Sequence, residues 1–207
     1  MVKLDRDQEN VEPSWVSVDN FNNTKLLQEV SSWLLDNSSL TDRLNNFYKE
    51  VFSVKPLSQS WNFPLESEIA LLENTRNEKA LIRKVVLCLN EKPVVFARSV
   101  IPKITMEGSL SHLKELGDKS LGAILFDTPG ILRSSFEIAL ISGNDPYLPQ
   151  EFFQSNSVWG RRSCFSIFSK RIIVSEVFLN SFEPWTLNNI NKAHKETPQN
   201  MTQAIKK

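Results

Sequence analysis

A chain of 207 residues with 41% hydrophobic content can bury one sizeable core and is short for two, so one domain with loosely packed ends is expected. Its 24 basic and 24 acidic residues cancel, which excludes an overall field drawing it to nucleic acid or an anionic membrane; any anionic ligand has to be recognised locally. Two cysteines in apolar runs, Cys88 and Cys164, read as reduced buried thiols, and two histidines, His112 and His194, away from ligand spacing, argue against a His-based metal site.

Met1 to Asn10 is charged throughout and lacks the apolar core of a signal peptide, and no segment approaches the ~20 apolar residues of a membrane span. A soluble, cytoplasmic protein is expected. Over residues 25–35, Leu26, Leu27, Val30, Trp33 and Leu34 recur at helical spacing and predict an amphipathic helix. Residues 36–39 break it. A second helix opens at Ser39, whose hydroxyl can cap the turn that contains Asp42, and it carries Leu40, Leu44, Phe47 and Val51 along one side. The pair forms a helical hairpin.

Strands dominate the middle. Residues 80–89 (ALIRKVVLCL) are rich in β-branched side chains, Asn90-Glu91-Lys92-Pro93 reads as a turn, and 94–101 (VVFARSVI) returns antiparallel. Leu110, Leu113 and Leu116 give 109–116 a helical spacing, which Gly117 is placed to end in a left-handed conformation. A short apolar run, 121–126, follows. Residues 132–141 look helical, with Leu132, Phe136 and Leu140 stacked, until Gly143-Asn144-Asp145-Pro146 stops the pattern. Two further strands are expected at 163–168 and 171–179, joined tightly through Ser169 and Lys170. From 181 to 207 the chain is polar and mostly without period. The resulting division is an N-terminal extension, 1–24, a domain, 25–182, and a polar tail, 183–207.

Side chains alternate across a strand, so residues of equal parity share a face. Arg83 falls with Leu81, Val85, Leu87 and Leu89, and Glu176 falls with Ile172, Val174 and Phe178. An uncompensated buried charge destabilises by roughly 3 to 5 kcal/mol, so each group needs a partner or a ligand. One reading is structural: Arg83 and Glu176 pair with each other or with polar neighbours. The other is a closed pocket, with Arg83 taking a carboxylate in a forked pair of hydrogen bonds and Glu176 accepting from a hydroxyl. Arg98 shares a face with Val94, Phe96 and Val100, and is a second buried cation or a snorkelling edge residue. Arg161 and Arg162 follow Gly160 and point oppositely, so at most one faces a pocket.

The strings WLLDNSSLTDRL from Trp33, IRKVVLC from Ile82, ARSVIP from Ala97, LGDKSLGAILF from Leu116, RSSFEIA from Arg133, WGRRS from Trp159 and SEVFL from Ser175 resemble, in order and spacing, the chorismate pyruvate-lyase family. The resemblance runs from about Trp33 to Leu179. It implies an α+β single domain, a mainly antiparallel β-sheet with flanking helices and helical-hairpin flaps over an internal ligand site. It also implies the release of pyruvate from chorismate to leave 4-hydroxybenzoate, the first committed step of ubiquinone biosynthesis, without metal or redox cofactor.

Residue by residue, the resemblance places Arg83 and the backbone amide of Leu121 on the ring carboxylate and Glu176 at the other end of the ring. Leu40 falls at a lid position. A second cation, Arg98 or Arg161, is left to meet the enolpyruvyl carboxylate. The expected partner is a small-molecule substrate, chorismate, with no nucleic acid and no membrane span, and a monomer is expected. Departures from the family are the N-terminal extension, the polar tail and a longer segment at 143–157, read as a tolerated surface loop or a partner-binding surface. The competing reading is a non-catalytic aromatic-acid-sensing module of the related effector-binding fold.

Overall fold

In the computed structural model, which describes residues 12–21, 26–47, 52–73, 78–167 and 170–185, the expected sheet is present and wholly antiparallel. Its strands are β1 (Val16–Ser17), β2 (Phe52–Asn62), β3 (Ala80–Leu89), β4 (Lys92–Pro102), β5 (Leu132–Arg133), β6 (Glu137–Ile141), β7 (Val158–Ile167) and β8 (Lys170–Phe178). Seven of the eight strands lie in the order β1-β6-β7-β8-β4-β3-β2, and the eighth, β5, pairs with β7 off that path. The β3–β4 hairpin turns on two residues, Asn90 and Glu91, both with positive φ (49° and 63°), the geometry that matches the right-handed twist of the flanking strands. β2 has no counterpart among the expected elements; as an edge strand it accommodates Pro56, where its register with β3 shifts. The residues read as an N-terminal extension contribute β1, which pairs with β6.

Four α-helices lie among the described residues: α1 (Gln28–Leu34), α2 (Leu40–Phe47), α3 (Glu66–Leu72) and α4 (Leu121–Asp127). The α1–α2 hairpin is as expected, and the Ser39 hydroxyl accepts from the Asp42 N–H (3.2 Å) to cap α2. Val51 lies outside the described residues. The Gly108–Glu115 segment is a 3-10 rather than an α-helix, and Gly117 follows with φ +53°.

One expectation fails outright. Residues 132–141 form strands β5 and β6, not a helix. Of the supposed stripe of Leu132, Phe136 and Leu140, Phe136 is buried but Leu132 and Leu140 are 72% and 58% exposed, whereas Ile138, Ala139 and Ile141 are buried against β7. The free edge of β7 offers backbone partners that a solvent-facing helix would forgo, and tertiary pairing overrides the local period.

Both faces of the sheet are covered. On one face, Trp33, Leu34, Leu40 and Leu44 of the hairpin pack on Val85, Leu87, Ala97 and Phe178. At its other end, Leu113, Leu116, Leu121 and Leu125 pack on Leu81, Ile101, Phe165 and Ile172. On the opposite face, Leu72 of α3 meets Ile82, Val100 and Ile173, and Tyr147 and Leu148 of the 143–157 segment meet Phe96, Ile141 and Val177. That segment is thus anchored to the sheet by apolar burial.

Candidate functional site

Between the two apolar clusters of the hairpin-covered face runs a polar strip. The register pairs Arg83 with Ser99, Ser99 with Val174 and Val174 with Ser163, one transverse row over four strands. The next row on that face joins Val85, Ala97, Glu176, Arg161 and Ile138. Directly paired residues project to the same side, so Arg83 and Glu176 share a face although they come from strands far apart in sequence.

Arg83 is 3% exposed, and its Nη2 donates to the carbonyls of Gly117 (3.0 Å) and Lys119 (2.9 Å). It forms no ion pair among the described residues, and burial pushes its pKa down. Lys119 and Ser120 lead into α4, where the Ser120 hydroxyl caps the Ala123 N–H (3.2 Å). That hydroxyl also lies 2.7 Å from Thr41 Oγ1 of α2. The helix that opens with Leu121 is thereby latched to the helix that opens with Leu40, and both leucines are buried.

Glu176 does not pair with Arg83. Its Oε2 accepts from Arg161 Nε (2.6 Å), and its side chain keeps 14% exposure while Arg161 keeps 1%. Arg161 is otherwise engaged: Nη1 donates to the carbonyls of Trp33 and Asp36 (both 2.9 Å) at the end of α1. It therefore fixes one oxygen of Glu176 and ties β7 to the hairpin. Arg162, adjacent, projects to the opposite face and pairs with Glu137 (2.7 Å), as alternation requires.

Arg98 is not brought to the strip. It pairs across β3–β4 with Lys84, between the residues that face Arg83, and so projects from the opposite face. There it meets Glu68 of α3 in a forked pair (2.7 and 2.9 Å), buried on both sides. Burial alone would lower its pKa, but the Glu68 carboxylate outweighs that and raises it. Arg98 is thus one half of a buried ion pair, whose acidic member carries no signal in the sequence pattern.

Sequence reasoning does not single out Arg133, because a helix over 132–141 would give it different neighbours. In β5 it pairs with Phe165, and its Nε donates to the Ser163 hydroxyl (2.8 Å). Its guanidinium lies 4.1 Å from the centroid of Phe136. Burial pushes its pKa down to about 10, with Glu176 acting in the opposite direction.

Two surface concavities lie elsewhere. One of about 410 Å³ is lined by Ser38, Ser39, Asp42, Arg43 and Asn46 at the hairpin turn. The other, about 650 Å³, is lined by Trp61, Glu78, Lys79, Lys103, Ile104 and Glu107. Neither includes Arg83 or Glu176. Among the described residues no group of three or more His, Cys, Asp or Glu side chains is placed to hold a metal ion, and no helix is long and apolar enough to cross a membrane.

The sequence model of the family described as chorismate lyase matches residues 10–188. The chain belongs to the chorismate lyase family. Relatives named probable chorismate pyruvate-lyase include one from Nitrosospira multiformis, 36% identical over 153 residues, covering 72% of this chain and 85% of the relative. One from Methylococcus capsulatus is 36% identical over 152 residues, covering 72% and 94%. One from Hydrogenovibrio crunogenus is 33% identical over 171 residues, covering 82% and 92%. Among solved structures, the effector domain of PhnF from Mycobacterium smegmatis matches with a TM-score of 0.50 at 13% identity, covering 70% of this chain and 91% of that one. That likeness concerns the fold alone. For this member of the chorismate lyase family, it agrees with a single antiparallel sheet flanked by helices.

Proposed function

We propose that the protein is a chorismate pyruvate-lyase, a carbon-oxygen lyase that converts chorismate to 4-hydroxybenzoate and pyruvate. The observation that carries this reading is Arg83, a buried cation on the same face as Glu176; among the described residues Arg83 has no counter-ion and one oxygen of Glu176 has no hydrogen-bond donor. A rigid ring with a carboxylate at one end and a hydroxyl at the other complements that pair.

Arg83 and the Leu121 amide anchor the ring carboxylate. Leu121 stands two residues from Lys119, whose carbonyl already receives Arg83, so cation and amide lie on one short turn. Glu176, oriented by Arg161, accepts from the ring hydroxyl. The ether carbon–oxygen bond breaks, the neighbouring carbon loses its hydrogen, and the ring becomes aromatic, which supplies the driving force. The hydrogen passes to Glu176 or, in a cyclic route, to the departing enolpyruvyl group. In both routes the protein contributes orientation and exclusion of water. Leu40 and the α1–α2 hairpin close over the ligand, so product release is slow and 4-hydroxybenzoate inhibits. The setting is a cytoplasmic monomer supplying a ubiquinone precursor.

The decisive assay is pyruvate release from chorismate by purified protein in the presence of a chelator. Binding of 4-hydroxybenzoate without pyruvate release would instead identify a non-catalytic sensor. Glu176→Gln keeps an acceptor for the hydroxyl but removes the base, and should lower the single-turnover rate by about 100-fold or more if Glu176 takes the hydrogen. An unchanged single-turnover rate confines Glu176 to positioning and leaves the cyclic route.

A further inference from the structure

Chorismate carries a second carboxylate, on the enolpyruvyl ether beside the ring hydroxyl. Neither cation expected to meet it is available: Arg98 is held by Glu68 on the other face, and Arg161 is engaged with Glu176 and the α1 carbonyls. We infer that Arg133 receives this second carboxylate and so distinguishes chorismate from its own product. The inference rests on the enzymatic reading above and deepens it.

Placement comes first. Arg133 pairs with Phe165, whose side chain belongs to the hairpin-covered face, so Arg133 projects to the same side as Arg83 and Glu176. Its Nε donates to Ser163, which ends the transverse row that begins at Arg83, so the two cations bracket Ser99 and Val174 from opposite ends. Three strand spacings, about 14 Å, separate Arg83 and Ser163 along that row, a span that one small ring with a carboxylate for each arginine can bridge. Among the described residues Arg133 forms no ion pair, and its one other hydrogen-bond acceptor is the Asn37 carbonyl at 3.4 Å.

The guanidinium is also supported from below. It lies 4.1 Å from the centroid of Phe136, 5.1 Å from that of Phe165 and 5.4 Å from that of Phe126, and among the described residues its Nη2 donates to no acceptor. Glu176 lies close enough for its charge to act on Arg133 even though the two do not pair. A ligand that sets its hydroxyl on Glu176 places the adjacent ether, and the carboxylate on it, on that side. Product keeps the groups that meet Arg83 and Glu176 and loses the one that meets Arg133.

The full-length protein tests this through Arg133→Met and Arg133→Lys, with kcat/KM measured by pyruvate release and the inhibition constant of 4-hydroxybenzoate measured in parallel. Arg133→Met should lower kcat/KM for chorismate by about 100-fold, the size of a lost charge-assisted contact. The 4-hydroxybenzoate constant should move by less than about 2-fold. Arg133→Lys, which keeps the charge without the fork, should recover part of the loss and serves if the methionine variant folds poorly. Equal weakening of substrate and product, or an unaffected kcat/KM in either folded variant, overturns the assignment. Wild-type protein that binds 4-hydroxybenzoate yet releases no pyruvate removes the enzymatic reading and this inference with it; active wild type with unaffected variants removes the inference alone.

Discussion

Arg83 and Arg98 sit on neighbouring strands, are both buried, and have opposite uses. Arg98 closes a forked pair with Glu68. Among the described residues Arg83 meets the carbonyls of Gly117 and Lys119 and no carboxylate. Breaking a buried ion pair strands the remaining charge, so Arg98→Met should destabilise the fold by about 3 to 5 kcal/mol while 4-hydroxybenzoate binding persists. Arg83→Met removes a cation that has no counter-ion among the described residues, and its destabilisation should stay within about 1 to 3 kcal/mol, while ligand affinity falls by about 100-fold. Denaturant unfolding and calorimetric titration of the two variants read this crossover, and a loss of binding in Arg98→Met would reverse the two roles. Parity along the strand is enough to put Arg83 and Glu176 on apolar faces. Their partners are illegible in the sequence, because they lie on segments 34 or more residues away from Arg83 and on a neighbouring strand for Glu176.

At the scale of elements, the turn that holds Arg83 and the hairpin that covers the sheet are each set by a local device. Gly117 has φ +53°, and a Cβ there would meet no atom within 4 Å, so only backbone strain opposes a side chain. Gly117→Ala should therefore destabilise by about 1 kcal/mol, and the carbonyl beneath Arg83 should shift enough to weaken 4-hydroxybenzoate binding, measurable by unfolding and titration together. The hairpin is tied by the Asp36–Arg43 ion pair, and Arg43 also covers Trp33 at 3.6 Å. Burial raises the Asp36 pKa, but the Ser38 and Arg43 hydrogen bonds outweigh it, and the net shift is downward from 3.8. A depressed folded-state pKa stabilises above the unfolded value and is lost as pH falls through the folded one. The hairpin should thus loosen below about pH 3.8, and Asp36→Asn should remove that step from an acid titration followed by tryptophan fluorescence. The 132–141 segment marks where local reading fails: a spacing of four fits a helix, yet its side chains and backbone are satisfied only by pairing with β7.

Over the whole molecule, the polar strip is enclosed because the helices that flank it are fastened to one another as well as to the sheet. Thr41 of α2 and Ser120 at the cap of α4 share a hydrogen bond of 2.7 Å across the two apolar clusters. Thr41→Val deletes that fastening while Ser120 continues to cap α4. With one hydrogen bond of about 1 kcal/mol lost from the closed state, product should dissociate about 5-fold faster and inhibit correspondingly less. Stopped-flow release of 4-hydroxybenzoate reads this directly; an unchanged release rate would place the gate elsewhere.

What the residues alone determined is the part governed by short-range rules: the two-residue alternation of β3, β4 and β8, the helical hairpin with its Ser39 cap, the left-handed Gly117, and the apolar neighbours of Arg83 and Glu176. Which charges meet, by contrast, is settled by long-range packing. β5 and β6 exist because β7 has an edge to offer, Arg98 is neutralised because α3 brings Glu68 beneath it, and Arg133 joins the strip because β5 lies beside Phe165. A charge's role depends on the counter-charge within a few ångströms, and that distance is set by strand order, which the sequence does not encode locally.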